Sequence, residues 1–286
     1  MSSESQAASD GSITTVVVVW LILAVVAELA LFLLLGPHMP PGRASVEASD
    51  QTTTNIVLAA VMIPILAGVW VFFGYALATF RDRGGSEEDG PPMIGNGRVE
   101  LSWLIITVAI VLCLAGYGTY ALYNPDASVA GAGGGQGPHP SGTPGPNTLQ
   151  VQVIAQQWQF TYRFPQYGDV ETFALALPAH RNVEFQVTSL DVVHSFWAYQ
   201  LGVKADAVPG ANNIAYVTTH GPTTFNIRCA ELCGVWHGAM DATGNVLSHA
   251  GFTRWIRAQR LHNIPATHFL PPYAHSYFPE PTGRAG

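Results

Sequence analysis

The segment Cys229-Ala-Glu-Leu-Cys233-Gly-Val-Trp-His237-Gly-Ala-Met240 brings two thiols, an imidazole and a thioether onto one short stretch of chain. These donors are soft or borderline and favour copper or zinc over magnesium or calcium. A second imidazole stands upstream in Asp191-Val-Val-His194-Ser195, within a strand-like segment. A mononuclear blue-copper site takes two His, one Cys and a weak axial Met. This set has one Cys too many. Two cysteines four apart on one loop can both bridge a pair of metals, so that each ion sees both sulfurs and one imidazole. His194 then serves one ion and His237 the other, with the Met240 sulfur and a main-chain carbonyl as weak axial ligands. Shared thiolates spread one charge over both ions, so little rearranges when an electron arrives or leaves. That suits electron transfer and not substrate turnover, because no open coordination position remains. Two other readings of these residues stand beside it. A Cys229–Cys233 disulfide would strain an i to i+4 loop, and a zinc site of two Cys and two His matches in ligand type but leaves Met240 without a role.

The elements that must position these donors begin at Thr148. LQVQVIAQ, WQFTYRF, ETFALAL, NVEFQVTS, NIAYVTT and TFNIRC are short, rich in β-branched and aromatic residues, and bounded by Pro, Gly or Asn. Many short strands at close spacing predict an all-β sandwich over residues 148–262. Phe252–Leu261 reads as a short closing helix, and residues 263–286, rich in proline, as an extended tail. Residues 124–147 are dominated by Gly and Pro and read as a flexible linker.

Before the linker lie three apolar runs, each long enough for a bilayer, which takes about 20 helical residues. They cover residues 13–35, 55–80 (with Pro64 inside) and 99–123, after an N-terminal tail of residues 1–12. The first run is longer than a signal-peptide core and lacks a basic n-region, which favours an uncleaved helix over a cleaved signal. Arg81, Arg83 and Arg98 follow the second run, whereas only Arg43 follows the first. The positive-inside rule puts the 81–98 loop in the cytoplasm and everything after Tyr123 outside.

Composition agrees. Only 11% of residues are charged, against about 25% in ordinary soluble domains. Residues 1–146 carry eleven acids against four arginines, and residues 147–286 carry eight acids against eight basic residues. Nucleic-acid binding needs concentrated positive charge, so that class of partner is excluded. Three cysteines cannot build a disulfide framework, and no C-x-x-C-H occurs for covalent haem attachment.

The pattern C-x-E-x-C-x3-H-x2-M, preceded by the His194-Ser195 strand, resembles the CuA centre of cytochrome c oxidase subunit II. The likeness runs from about Val99 to Trp255 and takes in Glu100-Leu-Ser-Trp103, Gln157-Trp158-Gln-Phe160-Thr-Tyr162 and Leu201-Gly-Val-Lys204-Ala-Asp206-Ala-Val-Pro209-Gly210. It implies a membrane-anchored α + β protein: three N-terminal transmembrane helices, then a cupredoxin-like Greek-key β-sandwich outside the membrane. It implies a binuclear copper centre, with His194, Cys229, Cys233, His237 and Met240 as side-chain ligands and Glu231 ligating through its carbonyl. The Glu231 carboxylate would be left to hold magnesium at the boundary with subunit I. Trp158 would be the aromatic through which electrons enter, Glu100 would lie near the mouth of a proton path, and Lys204 and Asp206 would shape the loop beneath the copper.

The implied partners are subunit I, carrying haem and CuB, other oxidase subunits, and a cytochrome c or membrane-bound c-type cytochrome as donor. Oxygen reduction and proton pumping would occur in subunit I, and the location would be the cell membrane of a prokaryote. The chain departs from the family in having Gln159 where aromatics are usual, and in having a third helix. A nitric oxide reductase using the same copper subunit and a copper-delivery protein remain as alternatives. Glu28 is a candidate for contact with a neighbouring subunit, Cys113 for apolar packing, and the remaining histidines for surface or structural roles.

Overall fold

The computed structural model describes residues 3–79, 81, 95–123 and 147–269. These fall into two compact units: one holds the described residues up to 39 together with 53–116, the other 40–52 together with those from 117 onward.

The first unit is helical. Helix α1 (Ser3–Ala30) passes into a π turn (Leu31–Leu35), and α2 (Val46–Thr79) and α3 (Gly97–Tyr123) follow. Ile13–His38, Val46–Thr79 and Gly97–Tyr120 are long and apolar enough to cross a membrane. Leu, Val, Ile and Phe side chains stand exposed around these helices, the pattern of a helix that expects lipid and not water. Within the unit, the Trp20 indole N–H donates to the Pro64 carbonyl at 2.8 Å, and α2 continues through Pro64.

Two expected boundaries move. Residues 3–12, read as a tail, are helical, and α2 begins at Val46 and not near residue 55. An apolar run marks the length that lipid demands, whereas the helix starts where a cap can close it. Here Ser45 Oγ accepts the Ala48 N–H at 2.9 Å, and polar turns bridge from that cap to the apolar run.

The second unit is a two-sheet sandwich. Its strands are β1 (Leu149–Gln156), β2 (Gln159–Phe164), β3 (Val170–Thr172), β4 (Ala176–Pro178), β5 (Asn182–Ser189), β6 (His194–Ala198), β7 (Val203–Ala207), β8 (Asn213–Thr218), β9 (Thr223–Cys229) and β10 (Asp241–Leu247). One sheet has the order β3-β2-β1-β5-β8, the other β4-β10-β9-β6-β7. The pairs β1–β5 and β4–β10 are parallel, and the remaining pairs are antiparallel. The fold class is therefore the expected one, three apolar helices followed by a cupredoxin-like sandwich. ETFALAL, which reads as one strand, splits into β3 and β4 on different sheets, as happens where a chain turns a sandwich corner.

Phe196 centres the core at one end. Its ring meets Phe160, Phe185 and Tyr162 with centroids 5.7, 5.2 and 6.3 Å away. Helix α4 (His249–Phe269) closes the sandwich, burying Phe252 and Ile256 at i, i+4 spacing. It is longer than expected and passes Pro265, which removes one intrahelical N–H and leaves the flanking turns to carry on. The extended tail expected from residue 263 is corrected to helix as far as Phe269. Residues 270–286 and linker residues 124–146 lie outside the described residues.

Sequence reading leaves residues 40–52 as a plain connection, yet they are built into this unit. Ser45 bridges Thr219, Ser45 Oγ donates to the Leu201 carbonyl at 2.7 Å, and the Glu47 carboxylate accepts the Thr218 N–H at 2.8 Å. Gln51 donates to the Gly202 carbonyl at 2.8 Å. Gly202 has φ +67°, and a Cβ there would come within 3.0 Å of the Ala48 backbone, so only glycine allows the close approach.

Candidate metal centre

Strand periodicity starts the site. Side chains alternate across a sheet, so on β6 His194 shares the inward face with Phe196, and on β9 Cys229 shares it with Ile227. Phe196 pairs with Cys229 across the two strands, which places His194 just beyond Cys229 at the sandwich rim. The chain then loops out and returns, closed by the Cys229 N–H donating to the Met240 carbonyl at 3.0 Å. Gly234, at φ +116°, lets this loop pass the Trp158 ring, which lies 3.4 Å from where a Cβ would stand.

The donors converge. Cys229 Sγ and Cys233 Sγ are 3.6 Å apart and unbonded. His194 Nδ1 is 3.8 Å from the first sulfur, and His237 Nδ1 is 3.4 Å from the second. Met240 Sδ lies 3.9 Å from Cys233 Sγ, and the Cys229 thiol points at the Glu231 carbonyl at 3.2 Å. His194, Cys229 and Cys233 offer donor atoms all within 4.8 Å of one another, and all three are buried. Each sulfur thus carries an imidazole on its own flank, with weaker donors beyond. The four strong donors alone would match a tetrahedral site; the thioether and carbonyl exceed that need and suit a soft, two-centred occupant.

Burial pushes the Cys233 thiol up from its ordinary 9.0 to about 12, and the adjacent Cys229 thiol adds to the shift. Metal uptake must therefore expel the Cys233 proton. Asp191 is moved the other way. Burial would raise its carboxyl, but hydrogen bonds from the Gln157 N–H, the His194 ring and the Val192 N–H outweigh it and hold the group below its usual range.

The remaining expected residues divide. Trp158 is half-buried beside the loop, its indole N–H 3.2 Å from the Cys233 carbonyl. The Glu231 side chain is exposed. Asp206 accepts the Ser195 hydroxyl at 2.8 Å, and Lys204 pairs across the sheet with Trp197, so both stand on the strand next to His194. Glu100 belongs to the helical unit, where its Oε1 accepts the Asn96 N–H at 3.2 Å while Asn96 Oδ1 accepts the Arg98 N–H at 3.1 Å. That reciprocal pattern caps α3. Glu28 has a carboxyl oxygen shielded from solvent with no hydrogen-bond partner among the described residues. Sequence reasoning passed over Asp191, whose Oδ1 lies 2.9 Å from His194 Nε2. The only signal for it was its place three residues before the histidine.

Residues 172–245 match the family model described as cytochrome C oxidase subunit II, periplasmic domain. The chain is 29% identical over 210 residues to cytochrome c oxidase subunit 2 of Alkalihalophilus pseudofirmus, covering 71% of this chain and 56% of that protein. It is 29% identical over 243 residues to cytochrome c oxidase subunit 2 of a Synechocystis species, covering 74% and 70%. Among solved structures, the periplasmic domain of cytochrome oxidase subunit II of Bradyrhizobium japonicum matches at 25% identity and TM-score 0.40, covering 42% of this chain and 99% of that one. The chain thus spans little more than half the length of the Alkalihalophilus relative, at 56%.

Proposed function

We propose that the chain is a member of the cytochrome c oxidase subunit II family, to which its matches point, and the electron-accepting subunit of a haem–copper oxidase. It would take electrons from a cytochrome c, soluble or membrane-bound, and pass them to haem in subunit I, where oxygen is reduced and protons are pumped. The observation that carries the reading is the Cys229–Cys233 sulfur pair at 3.6 Å with one imidazole on each flank. His194, Cys229, Cys233, His237, Met240 and the Glu231 carbonyl would hold two copper ions. When bound, such a pair supplies one-electron uptake and release with little reorganisation.

The chain's own residues prepare that chemistry. His194 is fully buried at 0% exposure, so solvent does not compete for its ring. Phe196 and the aromatic core beneath it hold the sandwich end rigid. Trp158 and Gln157 both donate to the Cys233 carbonyl, tying a half-buried aromatic to the sulfur loop. The exposed Glu231 carboxylate is free to bind magnesium where subunit I would dock. Glu100 is assigned to the mouth of a proton path by the same resemblance, in addition to its capping role. Three candidate spans and a domain of a periplasmic family support a cell-membrane protein of a prokaryote with the sandwich outside.

A copper count and an EPR spectrum on the purified oxidase test this reading. Three coppers per oxidase, two beyond the CuB of subunit I, and a mixed-valence spectrum are expected, with Cys229→Ser and Cys233→Ser each abolishing the spectrum. A single copper beyond CuB, or an unchanged spectrum in either variant, ends the proposal. A complex that consumed nitric oxide and not oxygen would reassign the partner's chemistry.

A further inference from the structure

Three loops of the site meet at Asp191. Its Oδ1 lies 2.9 Å from His194 Nε2 and accepts the Val192 N–H at 2.6 Å, with Ser189 Oγ at 3.3 Å. Its Oδ2 accepts the main-chain N–H of Gln157 at 2.7 Å. The Gln157 side-chain amide then crosses to the Cys233 carbonyl at 2.8 Å, the oxygen that also takes the Trp158 indole N–H. One carboxylate from the β5–β6 turn therefore grips the imidazole that begins β6 and the Gln157 N–H of the β1–β2 turn, and that turn grips the sulfur loop.

The His194 ring has its Nδ1 toward the Cys229 sulfur, which leaves Nε2 to carry the proton. An imidazole that ligates through one nitrogen is fixed in tautomer and rotation by the acceptor on the other. His194 is fully buried, so water does not replace that acceptor.

We infer that Asp191 is a positioning residue for electron transfer at this centre: it sets the rotation and donor strength of His194 and, through Gln157, the placement of Trp158 against the sulfur loop. The inference rests on the copper reading above. An anion beside the His194 proton stabilises the more positive, oxidised centre, so neutralising it raises the midpoint potential. Removing the acceptor of the Gln157 N–H loosens the Trp158 loop and slows electron uptake without weakening donor binding.

The test uses the intact oxidase with Asp191→Asn and Asp191→Glu. Asn keeps the volume and removes the charge, while Glu keeps the charge and displaces it by one methylene. Copper content, midpoint potential, histidine nitrogen hyperfine coupling, kcat and KM for reduced cytochrome c are measured. The Asn variant is expected to raise the potential, and both variants to change the hyperfine coupling. In both, kcat falls about tenfold while KM stays within about twofold. An unchanged potential and coupling in Asp191→Asn overturns the inference. So does a rise in KM alone that Glu restores, because that marks a docking charge. Misfolding of both variants overturns it too, making Asp191 a folding residue. Fewer than two coppers beyond CuB in the unmutated oxidase takes down the copper reading itself and is thereby told apart from these outcomes.

Discussion

Trp158 donates its indole N–H to the main-chain carbonyl of Cys233 at 3.2 Å, so an aromatic ring from the β1–β2 turn is hydrogen-bonded to a residue that supplies one of the two sulfurs. The same carbonyl receives the Gln157 amide at 2.8 Å and stays satisfied if the indole is lost.

Trp158→Phe keeps a ring and removes the bond. It should cost about 1 kcal/mol of stability, leave the copper spectrum intact and slow electron uptake from the donor. Trp158→Ala should slow uptake further, again with the spectrum intact. Stopped-flow reduction of the centre checks both, and loss of the spectrum would make Trp158 a packing residue.

The metal-free protein should weaken in alkali. The folded state holds the Cys233 proton up to about 12, while the unfolded thiol releases it near 9.0. The contribution is fully present below the unfolded value and is lost as pH rises through the folded one. Denaturant midpoints of the metal-free chain should fall between about pH 9 and about pH 12. Cys233→Ala should flatten that fall.

Gly244 faces Phe225 across β9 and β10, and the ring fills the space a Cβ would need. Gly244→Ala should therefore destabilise the sandwich by about 1–3 kcal/mol. Adding Phe225→Leu should recover part of that loss in the double variant, as denaturant unfolding would show.

Ser45 serves two buried partners, the Leu201 carbonyl and the Ala48 N–H. Ser45→Ala leaves both without their bond and should cost about 1–3 kcal/mol. Limited proteolysis should then cut within residues 40–52 while the copper spectrum is unchanged. Equal resistance in the variant would mean the segment is held by its other contacts alone.

Much of the centre was legible because its donors are chain neighbours. Cys229, Cys233, His237 and Met240 sit on one loop whose ends are joined by the Cys229 N–H to Met240 carbonyl bond, so spacing alone limits how far apart they can be. The three spans were legible for the same kind of reason, since lipid demands a continuous apolar length that composition displays. Their starts were not, because α2 is initiated by a Ser45 cap whose polar turns carry no apolar signature.

His194 and Asp191 show where the chain's own spelling stops. The sequence alone determined the donor types, the apolar lengths and the alternation that turns His194 inward. Only the tertiary structure decided that Phe196 registers against Cys229, that His194 presents Nδ1 to a sulfur and Nε2 to Asp191, and that residues 40–52 dock on β8. The physical reason is range. Neighbouring residues are constrained by bond geometry, whereas register and docking between distant segments are set by packing summed over a whole sandwich, which no local window of residues contains.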